Sequence, residues 1–289
     1  MKHIIVTGNH EPFSIDNLEA LIKFSPESAE VELVKSYHSV EGINNLGKAE
    51  QFVLVASDIP HYKSKLEAML FEKTFTSKMS SIYSRLGIFE EALKELETCT
   101  QFHTVLQYIL QVGNVLNQGT DKGMARGFKI SALKKVHEVR STTSSGTTLL
   151  HVVVNACRKT MTEVVVRFPE SMKNVGEAAS LSLKDIQTEL DSVVSTVANL
   201  MQEIEELHQD SAEFFDNMER FLQPVQIETD AAKERCSTLA NKAVDVLELY
   251  GEDPNTSEDN DPLKSFLSTI NELCGHWAGI VREIGRTEE

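Results

Sequence analysis

The most regular spacing of apolar residues lies in the second half of the chain. Leu183, Ile186, Leu190, Val193, Val197, Leu200, Ile204 and Leu207 follow one another in alternating steps of three and four, the a/d seam of a heptad repeat. Beyond a polar Ser211 the seam resumes with Phe214, Met218 and Phe221. Read as one helix, Leu183–Phe221 predicts a rod of roughly 55–60 Å, and hence an elongated molecule. Such a seam needs a partner. The candidates are a helix over Ile227–Tyr250, an earlier helix running antiparallel, or the same helix of a second copy in a parallel coil. Periodicity alone does not separate them.

Helical spacing also runs through the first half. Ser14-Ile15-Asp16-Asn17 before Leu18, Leu21 and Ile22 predicts a capped helix start, with an end near Ser25-Pro26. A short helix over Ala49–Ser57 is stopped by Asp58-Ile59-Pro60. Leu66, Met69, Leu70 and Phe75 mark Tyr62–Phe75 as helical, and Leu86, Phe89, Leu93 and Leu96 continue the pattern over Ile82–Leu96. Phe102, Leu106, Ile109, Leu110 and Val112 give Phe102–Leu116 an apolar face, with Gly113-Asn114 near its end. A last helix, Leu263–Ile284, carries Phe266, Leu267, Ile270, Leu273, Trp277, Ile280 and Val281 on one face. Strand-like alternation bounded by turn clusters is scarce, so the fold class is all-α. The polar loop between these last helices reads D-x-N-x-S from Asp253. Glu258 stands where a calcium loop requires Gly, however, and Lys264 where it requires Glu, which excludes an EF-hand.

Composition changes this picture at one place. With 289 residues, 41% hydrophobic and 25% charged, the chain is of ordinary globular type and makes one large domain or two smaller ones. A net charge of −16 argues against general binding to nucleic acid or to an anionic membrane surface. The charge is uneven: residues 101–170 hold nine Lys and Arg against four Asp and Glu, while the remaining segments are acidic. This basic island contains Gly113-Asn114-Val115-Leu116-Asn117-Gln118-Gly119, then Gly127-Phe128-Lys129, and runs to Arg140. It is the candidate binding surface; local fluctuation of charge is the plain alternative. Cys99, Cys157, Cys236 and Cys274 stand far apart without a C-x-x-C pair, which points to buried thiols in a reducing compartment. The longest apolar run, Leu149–Asn155, is too short to span a bilayer, and Met1–Val6 lacks the apolar stretch of a signal peptide. The chain reads as cytosolic.

Signatures of catalysis are missing. His137-Glu138 is followed by Ser141 and not by the second histidine of an H-E-x-x-H pair. There is no G-x-S-x-G elbow and no phosphate loop, and the glycines between Gly113 and Gly127 follow a helix instead of a strand. His151, beside Leu149-Leu150, suits packing or capping better than general base work. No catalytic residue, metal site or cofactor is expected.

The motifs of the basic island resemble a known family. Gly113-Asn114-x-x-Asn117-x-Gly119, then Gly127-Phe128-Lys129-Ile130-Ser131-Ala132-Leu133-Lys134, then Thr148-Leu149-Leu150-His151 are similar in order and spacing to the signature of the formin homology-2 domain. Leu18–Leu21, Ala49–Phe52, Ile59-Pro60 and Leu66–Leu70 resemble its earlier helices, and Leu249-Tyr250-Gly251-Glu252-Asp253-Pro254 its C-terminal end. The resemblance implies an elongated all-helical rod with knob, coiled-coil and post subdomains. It places a knob-like region at 1–97, the post at 98–170, the long coiled-coil helix at 171–225, and at 226–289 helices that pack back on coil and post. It further implies a non-enzymatic factor of the actin cytoskeleton that nucleates filaments and rides their barbed ends as a head-to-tail dimer. Gly113, Asn114, Asn117, Gly119, Gly127 and Phe128 would then receive the N-terminal lasso of a partner copy. Arg140, where the family has a lysine, would contact actin together with Lys129, Lys134 and Lys135. The family's lasso carries tryptophans, whereas this sequence has one, Trp277. Lasso, linker and part of the knob are therefore expected to be absent from residues 1–289, as is the Pro-rich profilin-binding segment, and nucleation by this fragment is expected to be weak. A helical scaffold that binds microtubules or a regulatory partner is the alternative function.

Overall fold

A computed structural model describes residues 2–41, 46–140, 147–207, 211–255 and 261–287. Thirteen α-helices make up most of the described residues. In chain order they are α1 (Lys2–Thr7), α2 (Ile15–Lys23), α3 (Ser28–Glu41), α4 (Lys48–Ser57), α5 (Tyr62–Thr98), α6 (Thr100–Leu116), α7 (Leu133–Glu138), α8 (Leu149–Thr160), α9 (Glu163–Val166), α10 (Lys173–Ala178), α11 (Leu183–Leu207), α12 (Ala212–Leu249) and α13 (Pro262–Thr287). Among the described residues two 3-10 helices, Ile130–Ala132 and Phe168–Ser171, accompany them. No strand occurs among the described residues; Arg140 and Thr148 form an isolated antiparallel bridge. The fold is all-α, as the periodicity predicts.

Local signals act as expected at several helix ends. Ser14 caps α2 through a reciprocal pair: the Asn17 N–H donates to Ser14 Oγ at 3.1 Å and the Ser14 N–H to Asn17 Oδ1 at 3.2 Å. Thr148 and His151 form the same box at the start of α8, with the Thr148 N–H donating to His151 Nδ1 at 3.1 Å. His151 is thus a capping histidine. All four cysteines are buried, and burial pushes the thiols of Cys157 and Cys274 up to about 11 and about 12.

Three helices differ from the pattern reading. The runs Tyr62–Phe75 and Ile82–Leu96 belong to one helix, α5, because Met79 carries the buried face between them. Leu183–Phe221 is not one rod. α11 ends at Leu207 and α12 begins at Ala212, with Ser211 outside both; their connection at 208–210 lies outside the described residues. Ser211 is a favourable residue to start a helix, and its hydroxyl is engaged by a buried lysine, described below. The predicted Ile227–Tyr250 helix begins much earlier, at Ala212, and passes straight through Pro224.

The helices fall into two compact units, Met1–Ile82 with Glu189–Lys233, and Tyr83–Thr188 with Glu234–Glu289. In the first, the seam of α11 is buried at Leu190, Val193, Val197, Leu200 and Ile204. Phe71 and Phe75 of α5 meet Phe221 of α12 with ring centroids 6.2 and 6.0 Å apart. Lys65 is fully buried, donates to Ser211 Oγ at 2.7 Å and lies 5.6 Å over the Phe214 ring. Hydrogen bonding and cation–π contact offset the cost of burying the ammonium. Gly8, at φ +75°, passes so close to Phe214 that a Cβ would sit 3.0 Å from the ring; only glycine suits both the conformation and the space. Val34, Leu46 and Val53 make a smaller cluster between α3 and α4.

The second unit gathers around α13. Trp277 is fully buried, donates its indole N–H to Val166 O at 2.7 Å and meets Phe168 edge-on at 5.2 Å. Phe168 stacks on Phe102 at 5.5 Å, which packs against Tyr250 at 6.1 Å, and Tyr250 against Phe266 at 5.3 Å. One aromatic train therefore ties α6, α12 and α13 together. Arg235 of α12 holds Glu90 of α5 with two hydrogen bonds of 2.7 Å, and Lys242 pairs with Glu97 at 3.0 Å. The helix carrying the glycine-asparagine motif, α6, is held through Phe102, which meets both Phe168 and Tyr250.

Candidate functional site

The motif begins inside the last turns of α6. Gly113 O accepts from the Asn117 N–H at 3.0 Å, ending the helix, and the chain then turns through Thr120 and Gly123, whose amides bond to Asn117 O and Thr120 O at 3.0 Å. Gly119 sits at φ +82°, a left-handed setting that favours glycine. Asn114 uses both ends of its amide on the returning chain. Its Nδ2 donates to Ala125 O at 2.9 Å, and the Ala125 N–H donates to its Oδ1 at 2.7 Å. Asn114 therefore pairs with the backbone of Ala125 as a neighbouring strand would. Of the predicted socket residues, Gly113, Asn114 and Asn117 belong to this turn and its helix, and Gly119 to its apex. Val115, Leu116 and Met124 stand exposed beside it, which is unusual for large apolar residues so close together.

Gly127 and Phe128 lie elsewhere. They line a groove of about 400 Å³ with His103, Leu106 and Leu110 of α6, Ile130, and Leu249 and Tyr250 at the end of α12. Its wall is anchored by polar contacts. The Tyr250 hydroxyl donates to Leu96 O at 2.8 Å and lies 3.0 Å from His103 Nε2. Burial raises the Tyr250 phenol far above its usual range, so it stays a neutral donor. The Ile130 N–H donates to Glu252 Oε1 at 2.6 Å. Tyr250, Glu252 and His103 have no assigned role in the sequence reading. The turn motif Tyr250-Gly251-Glu252 was a visible signal, but only the fold brings it to Ile130.

From Lys129 to Arg140 the surface is basic. Lys129, Lys134, Lys135 and Arg140 are all exposed. Arg140 is tied to the start of α8 by its bridge with Thr148 and by the Leu149 N–H, which donates to Val139 O at 2.8 Å. Behind this edge, His137 of α7 stacks on His276 of α13 with ring centroids 3.6 Å apart and planes 9° from parallel. Burial lowers the His137 pKa first, then the nearby His276 and His151; Glu138 acts against them. His137 therefore favours the neutral form at ordinary pH. No three metal-ligating side chains gather among the described residues.

The formin homology 2 domain profile matches residues 1–278. The chain belongs to the formin homology 2 domain family. Among curated relatives, FH2 domain-containing protein 1 of Homo sapiens is 29% identical over 259 residues, 90% of this chain and 22% of that protein. Its Mus musculus counterpart is 30% identical over 286 residues, covering 99% of this chain and 24% of its own length. Formin-like protein 20 of Arabidopsis thaliana is 27% identical over 258 residues, 88% of this chain and 15% of that protein. The chain thus spans about a quarter or less of the length of these relatives. Among the described residues, no helix of this formin homology 2 chain is long and apolar enough to cross a membrane.

Proposed function

We propose that this chain is the actin-binding core of a filament-assembly factor. Two copies joined through their N-terminal lassos nucleate filaments and remain on the growing barbed end. Membership of the formin homology 2 family over residues 1–278 is the observation that carries this reading. The exposed basic edge in an otherwise acidic chain supports it, since actin is an acidic protein and complementary charge steers encounter and register. Arg140, with Lys129, Lys134 and Lys135 beside it, meets actin; its planar guanidinium favours a carboxylate held in two hydrogen bonds. Gly113, Asn114, Asn117, Gly119, Gly127 and Phe128 receive the partner's lasso, and the groove beside Phe128 takes a large apolar side chain from it. In this reading 98–170 is the post, 1–97 a knob-like region, 171–225 the coil, and 226–289 the return to coil and post. The chain works at the cytoplasmic actin cytoskeleton by binding alone, with no catalytic step and no cofactor.

The test is pyrene-actin elongation and dilution-induced depolymerisation with the protein carrying its lasso. Arg140→Ala is expected to weaken barbed-end association about ten- to hundredfold, the range for loss of a hydrogen bond to a charged group. Unchanged elongation and depolymerisation in that variant would remove the basic edge from actin binding. Failure of the lasso-bearing protein to pellet with filaments would favour a scaffold bound to another partner.

A further inference from the structure

The basic edge starts at a helix end that cannot cap itself. Ile130 opens the 3-10 helix that runs directly into α7, and Lys129, at its cap position, supplies no side-chain hydrogen bond. The first turn of any helix leaves N–H groups without intrahelical partners. Here the Ile130 N–H is taken by a carboxylate 122 residues away, Glu252 Oε1, at 2.6 Å. The side chain reaches it because α12 ends in a defined reversal. The Glu252 N–H bonds back to Leu247 O and the Gly251 N–H to Glu248 O, each at 2.9 Å, with Gly251 at φ +72°. This is the paired closure of a Schellman motif, which requires the left-handed residue that glycine supplies. The reversal turns the chain after Tyr250 toward the 3-10 start, while Tyr250 itself stays in the groove wall. An ionised acceptor at a helix N-terminus also meets the positive end of the peptide dipoles.

We propose that Glu252 is a positioning residue for the actin-facing edge. Its carboxylate caps the turn and helix that carry Lys134 and Lys135 and lead to Arg140, and so holds that edge in a single setting. The proposal rests on the actin reading above and adds to it a residue that touches neither actin nor the lasso. Asn114 holds the chain at Ala125 and Glu252 holds it at Ile130, so the strap from Arg126 to Lys129 is fixed at both ends. Removing Glu252 frees the end nearer the lysines.

The experiment uses the lasso-bearing protein with Glu252→Ala, Glu252→Gln, Arg140→Ala and the double variant Glu252→Ala/Arg140→Ala. It reads hydrogen exchange at the Ile130 amide and barbed-end affinity for actin. Glu252→Ala is expected to speed Ile130 exchange about tenfold and to weaken barbed-end binding about three- to tenfold, as for loss of a charge-assisted hydrogen bond. Glu252→Gln keeps an acceptor oxygen and restores binding to within about threefold. The double variant loses less than the product of the two single losses, because both changes act on one surface; a general loss of stability would not produce that coupling. Faster Ile130 exchange with wild-type affinity in Glu252→Ala, while Arg140→Ala weakens binding, overturns the proposal and leaves the actin reading standing. Wild-type affinity in both single variants overturns the actin reading itself. Should Glu252→Ala fail to fold, Glu252→Asp, whose carboxylate is withdrawn by one methylene, takes its place with the same readouts.

Discussion

Trp277 is the only tryptophan of the chain, and its indole N–H is spent on Val166 O inside the second unit. Replacement by Phe keeps a ring near Phe168 but leaves that carbonyl unpaired, at a cost of about 1–3 kcal/mol. Urea unfolding should show a lower midpoint with the slope unchanged. His137 makes a different prediction. Its pKa is lowered by burial first and by His276 and His151 next, so the folded state prefers the neutral ring. The unfolded value lies near ~6.5. Stability from this residue is therefore complete above that pH and is lost as pH falls through the window down to the folded value. His137→Asn should flatten the fall in melting temperature between about pH 7 and 5, as followed by calorimetry. An unchanged slope would assign the acid sensitivity to other groups. Some residue roles were legible without coordinates. Ser14 and His151 cap helices as their neighbours foretell, because a capping box is written within four consecutive residues. Glu252 was not legible, because its partner is 122 positions away.

Among the elements, α12 shows where pattern reading stops. Its buried positions run Phe214, Met218, Leu222, Val225, Thr229, Ala232, Cys236, Leu239, Ala243 and Val246, a seam almost as regular as that of α11. Thr, Ala and Cys conceal it, since small or weakly polar residues do not stand out as apolar repeats although they pack closely between helices. Pro224 conceals it further. Proline in a helix interior removes one hydrogen bond and disturbs the carbonyl four residues earlier. Here both Pro224 and Arg220 are exposed, so the released carbonyl lies on the hydrated side of the helix. Pro224→Ala is accordingly expected to stabilise the chain by about 1–2 kcal/mol, the helix gain being partly offset by a more flexible unfolded state. A melting temperature at or below that of the parent would show that α12 needs the proline. Glu90 and Arg235 join α5 to α12 through two hydrogen bonds, and the Arg235 hydrogen bond is the main cause of the lowered Glu90 pKa. That contribution is present above the unfolded pKa of a glutamate and is lost as pH falls through the folded value. Because the pair is more than a third exposed, Glu90→Gln should have only a modest effect at neutral pH.

At the scale of the whole molecule, the proposed ring makes assembly depend on a lasso reaching a second copy. A polypeptide limited to residues 1–289 should therefore run as a monomer in light scattering and nucleate actin poorly. Full nucleation at nanomolar dose in a pyrene assay would contradict that. Adding a lasso and linker should double the mass and restore nucleation, whereas substitution of Phe128 by Asp in the groove should hold the extended protein at monomer mass. By itself, the sequence determined the helical class, the Ser14 cap, the α11 seam, the basic island and the family signature. All of these are written in short windows or in a repeat with a fixed period, where spacing alone specifies which residues share a face. Only the tertiary structure decided that α12 runs unbroken through Pro224, that Tyr250 and Phe128 line one groove, and that Glu252 caps Ile130. Those contacts join segments more than a hundred residues apart, and their geometry comes from packing against a common core, which no local pattern records.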